Sequence, residues 1–352
     1  MTDLLYSDVE DELRASIRAL LTDRAGSAAV LARTESAEPV DTKLWRALAA
    51  DLGCAGLAVP EALGGAGASW REVAVVLEEL GRAVAPVPFL GSAVVATAAL
   101  LATGDEQLLG ELATGAKTAV LCVPMSTAPS DSFSLDGSVS GTVRGVVDAI
   151  AADIFLVPAA DGLYAVDSAD ATRTIVTSLD LTRPLCDVSF ANAPGRRIGD
   201  AAPAVERALT VGAALLAAEQ LGVAEWCLET TVEYAKTRRQ FARQIGSYQA
   251  IKHRLADVWV AVTQARAVSR YAATCLAEDD PDAPVAAALA QAVCSQVAVK
   301  AAEECVQLHG GIGFTWEHPA HLYLKRAKTS SIAFGTADKH RAALSRLVDL
   351  PA

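Results

Sequence analysis

The hydrophobic pattern of this chain changes twice along its length, and these changes limit the possible folds. Up to about residue 118, apolar residues recur at helical spacings of three and four, as in 9–22, 42–52 and 70–82. From 119 to 200 the pattern changes to short runs rich in Val, Ile and Thr, and from 201 long helical segments return. We therefore predict a helical domain at 1–118, a middle β domain at 119–200 and a helical domain at 201–352.

Capping and turn residues subdivide these zones. Ser69 and Glu72 stand at capping-box spacing before the helix at 70–82, and a loop punctuated by Pro and Gly precedes it at 58–67. The expected strands are 119–123, 138–143, 154–158, 163–166, 174–176 and 186–190. In the third zone, interruptions near 238–246, 279–284 and 308–319 separate helices with apolar residues on more than one face, which predicts a buried bundle.

Composition excludes some classes of function. The 352 residues include 30 Lys and Arg against 42 Asp and Glu, a net charge of −12, which argues against wrapping nucleic acid but leaves room for a local basic pocket. The first residues show neither a basic segment nor an apolar one, and the longest apolar run is too short to span a bilayer, so we expect a cytoplasmic protein without a membrane span. Seven dispersed cysteines predict reduced thiols and no metal site.

Four local motifs carry the chemistry that the sequence indicates. They are GCAGLAVPEALGG at 53–65 with VLEELGR at 76–82, YAKTRRQFARQIGSYQA at 234–250, VQLHGGIGF at 306–314 and RAKTSSIAFGT at 326–336. In this order the motifs resemble the acyl-CoA dehydrogenase family over nearly the whole chain, with the middle zone the weakest part. The resemblance implies an α+β fold with an N-terminal helical domain, a small middle β-sandwich or barrel, and a C-terminal four-helix bundle.

The second and third motifs suit a dinucleotide such as FAD, the family's cofactor. Arg238 offers a cation to phosphate, Phe241 a flat apolar face and Gln249 an amide, while paired glycines permit close backbone approach. Taken singly, Arg238 could be a solvated helix-end charge, Phe241 a core residue and the glycines a helix-ending loop. The resemblance implies an FAD grip across a subunit interface, completed by a residue of the fourth motif: Arg238, Phe241, Gln249, Gln307, Gly310, Gly311 and Thr336.

The catalytic base of the family is missing. Most members carry a Glu immediately before the Gly-Thr of the fourth motif, where this chain has Phe334, and some relatives carry it on the first long C-terminal helix, near Gly212 here. Neither residue can accept a proton. Glu219 and Glu225 are the nearest acids on that helix, and their spacing does not fit the role. We regard His309, beside the glycines, as structural. The catalytic residue is therefore unknown.

The middle zone also departs from the family. The run at 122–131 lacks the Glu and the Gly-Ser pair that usually line the flavin, and no Trp lies between 71 and 225. We therefore expect the base-less subunit of a heteromeric α2β2 acyl-CoA dehydrogenase that pairs with a Glu-bearing subunit, in steroid or lipid breakdown, with electron-transfer flavoprotein as acceptor. The alternatives are a homo-oligomeric dehydrogenase of acyl-CoA or acyl-carrier-protein with a displaced base, a flavin monooxygenase, and a purely structural protein with a decayed site. The sequence does not identify the acyl group.

Overall fold

The computed structural model describes residues 4–127, 134–135 and 138–349, and it has the expected order of helices, sheets and helices. The first zone contains α1 Asp8–Arg24, α2 Ser27–Thr34, α3 Thr42–Arg46, α4 Trp70–Ala83, α5 Thr97–Thr103 and α6 Glu106–Ala113. π-Helical turns at Ala47–Asp51 and Leu90–Ala96 extend α3 and lead into α5. The capping box before α4 is confirmed: the Ser69 hydroxyl accepts from the Arg71 amide at 3.1 Å, and the Glu72 carboxylate accepts from the Ser69 amide at 2.9 Å.

The middle zone is a pair of four-stranded sheets. Its strands are β1 Ala119–Leu121, β2 Ser134–Leu135, β3 Val139–Val147, β4 Ile154–Ala159, β5 Gly162–Asp167, β6 Ala171–Val176, β7 Leu185–Ala193 and β8 Arg196–Gly199. One sheet has the order β1-β4-β5-β8 and the other β2-β3-β7-β6; β1 is parallel to β4. The rings of Phe155 on β4 and Phe190 on β7 meet edge to face at 5.7 Å between centroids, which joins the sheets through a shared apolar core.

The last zone contains three long helices and two shorter ones: α7 Ala201–Thr237, α8 Gln249–Ala277, α9 Ala283–His309, α10 Ala320–Ser330 and α11 Ala337–Leu347. A two-stranded hairpin, β9 Arg239–Gln240 and β10 Arg243–Gln244, joins α7 to α8. By length and composition, the helices at Ala201–Thr237 and Ala283–Phe314 could cross a membrane, but 56% and 61% of their apolar windows are buried inside the protein. Such burial is typical of core helices.

Two glycines allow α4 to cross α7 at very short range. A Cβ atom added to Gly81 would lie 2.1 Å from the carbonyl oxygen of Glu219, and one added to Gly222 would lie 1.9 Å from that of Glu78. Any side chain at either position would therefore push the helices apart. The contact ties the first helical zone to the last, and apolar side chains from both form one continuous core. The domain boundaries at 118/119 and 200/201 stay predictions.

Candidate functional site

The hairpin after α7 holds its polar and aromatic side chains out to solvent. Arg238 ends α7, is exposed, and forms no ion pair with any residue that the structure describes. Phe241, at the hairpin tip, is 89% exposed and has left-handed backbone with φ of 51°. Gln249 is the exposed first residue of α8. The hypothesis that Phe241 is a core residue is thus excluded for the chain alone.

The third motif places a second exposed loop beside this hairpin. Gln307 is exposed near the end of α9, and Gly310, with φ of 63°, turns the chain away from the helix. Cβ atoms added to Gly310 and Gly311 would meet nothing within 4 Å, so open space lies against this backbone. The two segments meet through Tyr234, whose ring stacks on His309 at 4.4 Å between centroids.

Thr336 lies in a groove between α9, α10 and α11. It caps α11, which is bound to α9 by a hydrogen bond of 2.6 Å from Arg341 to Gln296. The groove has a volume of about 420 Å³, and its walls include Ser295, Lys300, Glu303 and Lys328. Because Glu303 stands one helical turn before Gln307 on α9, the groove extends along α9 toward the Gly310 loop.

A phenylalanine ring occupies the place where the family keeps its base. A Cβ atom added to Gly212 would lie 3.3 Å from Cε2 and Cζ of Phe334, so the two alternative base positions are in contact. Phe334 is 6% exposed, and its amide donates to the Met125 carbonyl at 2.7 Å. Gln291 also fixes this loop by donating to the Ala333 carbonyl at 3.1 Å. The structure therefore brings together two residues that the sequence could only suggest separately, and neither is an acid.

The two acids that follow Gly212 on α7 are held by arginines. Glu219 is buried and ion-paired to Arg183 and Arg326. Burial raises the pKa of Glu219, but the two guanidinium charges outweigh burial and lower it overall. Glu225 bridges Arg82 and Arg266 at 3.3 and 2.6 Å. Both carboxylates are thus committed to ion pairs, which fits the view that neither is the base.

Asp148 is a buried carboxyl that the sequence analysis missed. It follows β3 with φ of 59° and accepts a hydrogen bond of 2.8 Å from the Gly91 amide. Burial raises its pKa to about 6, against the lowering effect of Arg183 and of the Gly91 hydrogen bond. Gly91 lies one turn from Val95, whose Cγ2 would lie 3.2 Å from a Cβ atom added to Gly212. No sequence signal marks Asp148, because its burial depends on packing between the sheet and the helices.

The groove at Thr336 and the loop at Gly310 carry groups of the kind that a phosphate-bearing ligand needs. The buried Ser295 hydroxyl lines that groove, and within the described residues it has no hydrogen-bond partner. The unpaired Arg238 and the bare Gly311 backbone supply a cation and a close-approach surface. In the run at 122–131 that departs from the family, residues 128–131 lie outside the described residues.

The chain resembles known acyl-CoA dehydrogenases in both sequence and structure. The profile described as "Acyl-CoA dehydrogenase, N-terminal domain" matches residues 7–115, and "Acyl-CoA dehydrogenase, C-terminal domain" matches residues 202–348. Acyl-CoA dehydrogenase IpdE2 of Mycobacterium tuberculosis is 40% identical to this chain over 321 residues, which cover 91% of this chain and 91% of IpdE2.

Two solved structures share the whole fold. The ChsE4-ChsE5 complex from Mycobacterium tuberculosis superposes with a TM-score of 0.90 at 30% identity, covering 100% of either chain. A structure described as "Tcur3481-Tcur3483 steroid ACAD G363A variant" gives 0.88 at 31% identity and covers 97% of this chain and 98% of that one. These likenesses confirm the expected fold and an oxidoreductase of acyl-CoA type. The chain belongs to the acyl-CoA dehydrogenase family.

Proposed function

We propose that this chain is the base-less subunit of a heteromeric, FAD-dependent acyl-CoA dehydrogenase. The observation that carries the proposal is the contact between Phe334 and Gly212, because it removes a carboxylate from both places where the family puts one. The reaction needs a base poised at the α-carbon of the thioester while FAD accepts a hydride from the β-carbon. This chain has no group for that first step at either position.

The exposed residues indicate what the chain contributes instead. Arg238 would bind the pyrophosphate of FAD, Phe241 would cover an apolar part, and Gln249 and Gln307 would donate amide hydrogens to its polar edges. Gly310 and Gly311 would let their backbone approach it closely. All six lie on the outside of this chain, where a neighbouring subunit's cofactor can reach them. Thr336 would add a hydroxyl from the groove that runs along α9.

The partner and the substrate follow from the resemblances. ChsE4-ChsE5 is a complex of two chains, which supports a Glu-bearing subunit as partner in an α2β2 assembly. The likeness to a steroid enzyme supports an acyl-CoA thioester from steroid or other lipid breakdown as substrate. We further propose that electron-transfer flavoprotein receives the electrons. The cytoplasmic location stays a prediction.

The test is to find which subunit carries the base. The chain is co-expressed with a Glu-bearing homologue encoded near it, and acyl-CoA oxidation is measured by reduction of an artificial electron acceptor. Replacing the partner's base by Gln should lower turnover by about 10²–10⁴-fold while FAD is retained. Phe334→Glu in this chain should restore nothing, and Phe334→Leu is its control for changes in packing.

Each alternative gives a different result. Robust turnover by the chain alone, or a large gain in the lone Phe334→Glu variant, would contradict the proposal and favour a homo-oligomeric dehydrogenase. Consumption of oxygen coupled to substrate hydroxylation would favour the monooxygenase. Assays with steroid-derived and straight-chain CoA thioesters, run in parallel, would decide the acyl class.

A further inference from the structure

Three aromatic rings lie between the two exposed loops of the candidate flavin surface. Tyr234 stands four residues before Arg238, His309 ends α9, and His318 follows the loop that begins at Gly310. The Tyr234 and His309 rings are 4.4 Å apart with an interplanar angle of 26°, and the His309 and His318 rings are 4.1 Å apart at 39°. His309, in the middle, is buried.

The stack is fixed by its own hydrogen bonds. His309 donates from Nδ1 to the Cys305 carbonyl one turn earlier in α9, at 2.7 Å. His318 accepts at Nδ1 from the Ala320 amide at 3.2 Å, which fixes its ring at the start of α10. Burial lowers the pKa of His318 to about 4, so its ring is neutral at neutral pH and can face a second imidazole.

The two loops are not bonded directly to each other. Within the part of the chain that the structure describes, no hydrogen bond or ion pair joins residues 238–248 to residues 310–316. Each loop is bonded only within itself or to its own helix: Arg238 accepts from the Ile245 amide at 2.9 Å, and Ile312 accepts from the Thr315 amide at 3.1 Å. The helices α7 and α9 pack on each other, and the ring stack is the side-chain link at the ends where they lead into the two loops.

We propose that His309, through its stack with Tyr234 and His318, is a positioning residue that holds Arg238, Phe241 and Gly310–Gly311 in one flavin-binding arrangement. This inference rests on the proposed function for what the loops bind, but not for how they are held. A binding surface built on two loops needs such a support, because small displacements of its contacts lower affinity.

Hydrogen–deuterium exchange of the full chain, with no cofactor present, tests whether the ring stack holds the two loops in place. His309→Ala should speed amide exchange in both 238–248 and 310–316 by about tenfold, the loss that one aromatic contact of about 1.4 kcal/mol implies. His309→Phe keeps a stacking ring and should stay within about twofold of the wild type in both segments. Tyr234→Leu, at a half-buried position, removes the stack from the other side and should match His309→Ala.

The matched control is a second aromatic stack on α7, the helix that also carries Tyr234. Trp226 on α7 stacks on Tyr323 of α10 at 3.5 Å, away from both loops. Trp226→Leu should lower the melting temperature but leave exchange of the two loops unchanged. If His309→Ala and Tyr234→Leu leave both loops as in the wild type, or if Trp226→Leu loosens them equally, the inference is wrong.

The rate at which the co-expressed assembly releases FAD then shows whether the ring stack also affects cofactor binding. His309→Ala should release FAD about tenfold faster than the wild type, with rescue by His309→Phe. Unchanged release would overturn the positioning role even if exchange had changed. If the wild-type assembly holds no FAD, the proposed function fails, whereas the exchange experiment still decides whether the stack holds the loops.

Discussion

The two regions that the family uses for its chemistry differ sharply in this chain. The surface of the hairpin and the Gly310 loop is open: Arg238 pairs with no acid among the residues that the structure describes, and three aromatic rings are exposed, Phe241 at 89%, Phe314 at 78% and Trp316 at 64%. The place of the base is closed, with Phe334 packed on Gly212. Exposed aromatic side chains of this size indicate a surface that another molecule covers. Under the proposed function, the open surface would serve a neighbouring subunit, and the closed region would have no base of its own.

The closed region and the open surface should respond differently to substitution. Changes in the closed region should alter the free energy of unfolding, because the residues there are buried and bonded to each other. Changes on the open surface should alter flavin retention and leave stability almost unchanged. A variant of the closed region that leaves stability unchanged, or a variant of the open surface that lowers stability, would contradict this expectation.

The largest expected effect comes from the buried ion pairs beside the closed region. Arg326 binds Asp180 at 2.6 Å and Glu219 at 3.0 Å, and all three are buried. Arg326→Met leaves both carboxylates short of a cation and should destabilise the fold by about 3–5 kcal/mol in urea unfolding. Arg254→Met is the control, since it removes the more exposed pair with Glu304 and should cost only about 0–1 kcal/mol. Equal effects of the two would contradict this account.

Asp148 should make stability depend on pH. Its folded pKa of about 6 exceeds the ordinary 3.8, so the folded state binds more protons between these values. The stability that the neutral carboxyl contributes is present below about pH 4 and is lost as pH rises through about 6. Asp148→Asn carries no charge, and should be more stable than the wild type at about pH 8 by up to about 3 kcal/mol.

The measurement is urea unfolding of both proteins across this pH range. The stabilisation by Asp148→Asn should shrink toward zero near pH 4. Asp257→Asn, at an exposed position of α8, serves as the control for the substitution itself. A constant difference at every pH would show that burial of this charge does not oppose folding.

On the open surface, Arg238→Ala should weaken FAD retention without a change in melting temperature. Loss of a charged hydrogen bond to phosphate of about 1.5–3 kcal/mol implies FAD release about 10–100-fold faster from the co-expressed assembly. The neighbouring Arg239→Ala, also exposed, should change release by no more than about threefold. Equal loss from both variants would point to general electrostatic attraction instead of a specific contact.

The smallest expected effect measures how tightly the closed region is packed. A Cβ atom on Gly212 would come within 3.2 Å of Val95 Cγ2 and 3.3 Å of the Phe334 ring. Gly212→Ala should therefore cost about 1 kcal/mol in spite of the better helix propensity of Ala. In a Phe334→Leu background the same substitution should become neutral or stabilising, which a double-mutant cycle can show. Additive effects would mean that the two residues do not share the space.

Local sequence signals predicted the elements well, and long-range contacts escaped them. The Ser69 cap, the end of α7 at Arg238 and six of the strands follow from residues close together in the chain. The strand Arg196–Gly199 was not predicted, because its residues lack the alternation of a half-buried strand. The same applies to the buried Asp148, which has no local signature.

The candidate site shows the same division. The resemblance could name Phe334 and Gly212 as two places without a base. Only the fold shows that the Phe334 ring fills the space beside Gly212. The Tyr234–His309–His318 stack joins three segments far apart in sequence, and no spacing rule predicts it. The positions of the six predicted residues at the exposed surface, and of Thr336 in the groove along α9, likewise depend on helix packing.

Whether the chain is a base-less subunit can be decided from its FAD content and mass, purified alone and then with its Glu-bearing partner. We expect a lone chain without bound flavin and a yellow heterotetramer with about one FAD per two chains. A lone chain that forms a yellow homo-oligomer with about one FAD per chain would contradict this, because the closed region would then have to hold a working site.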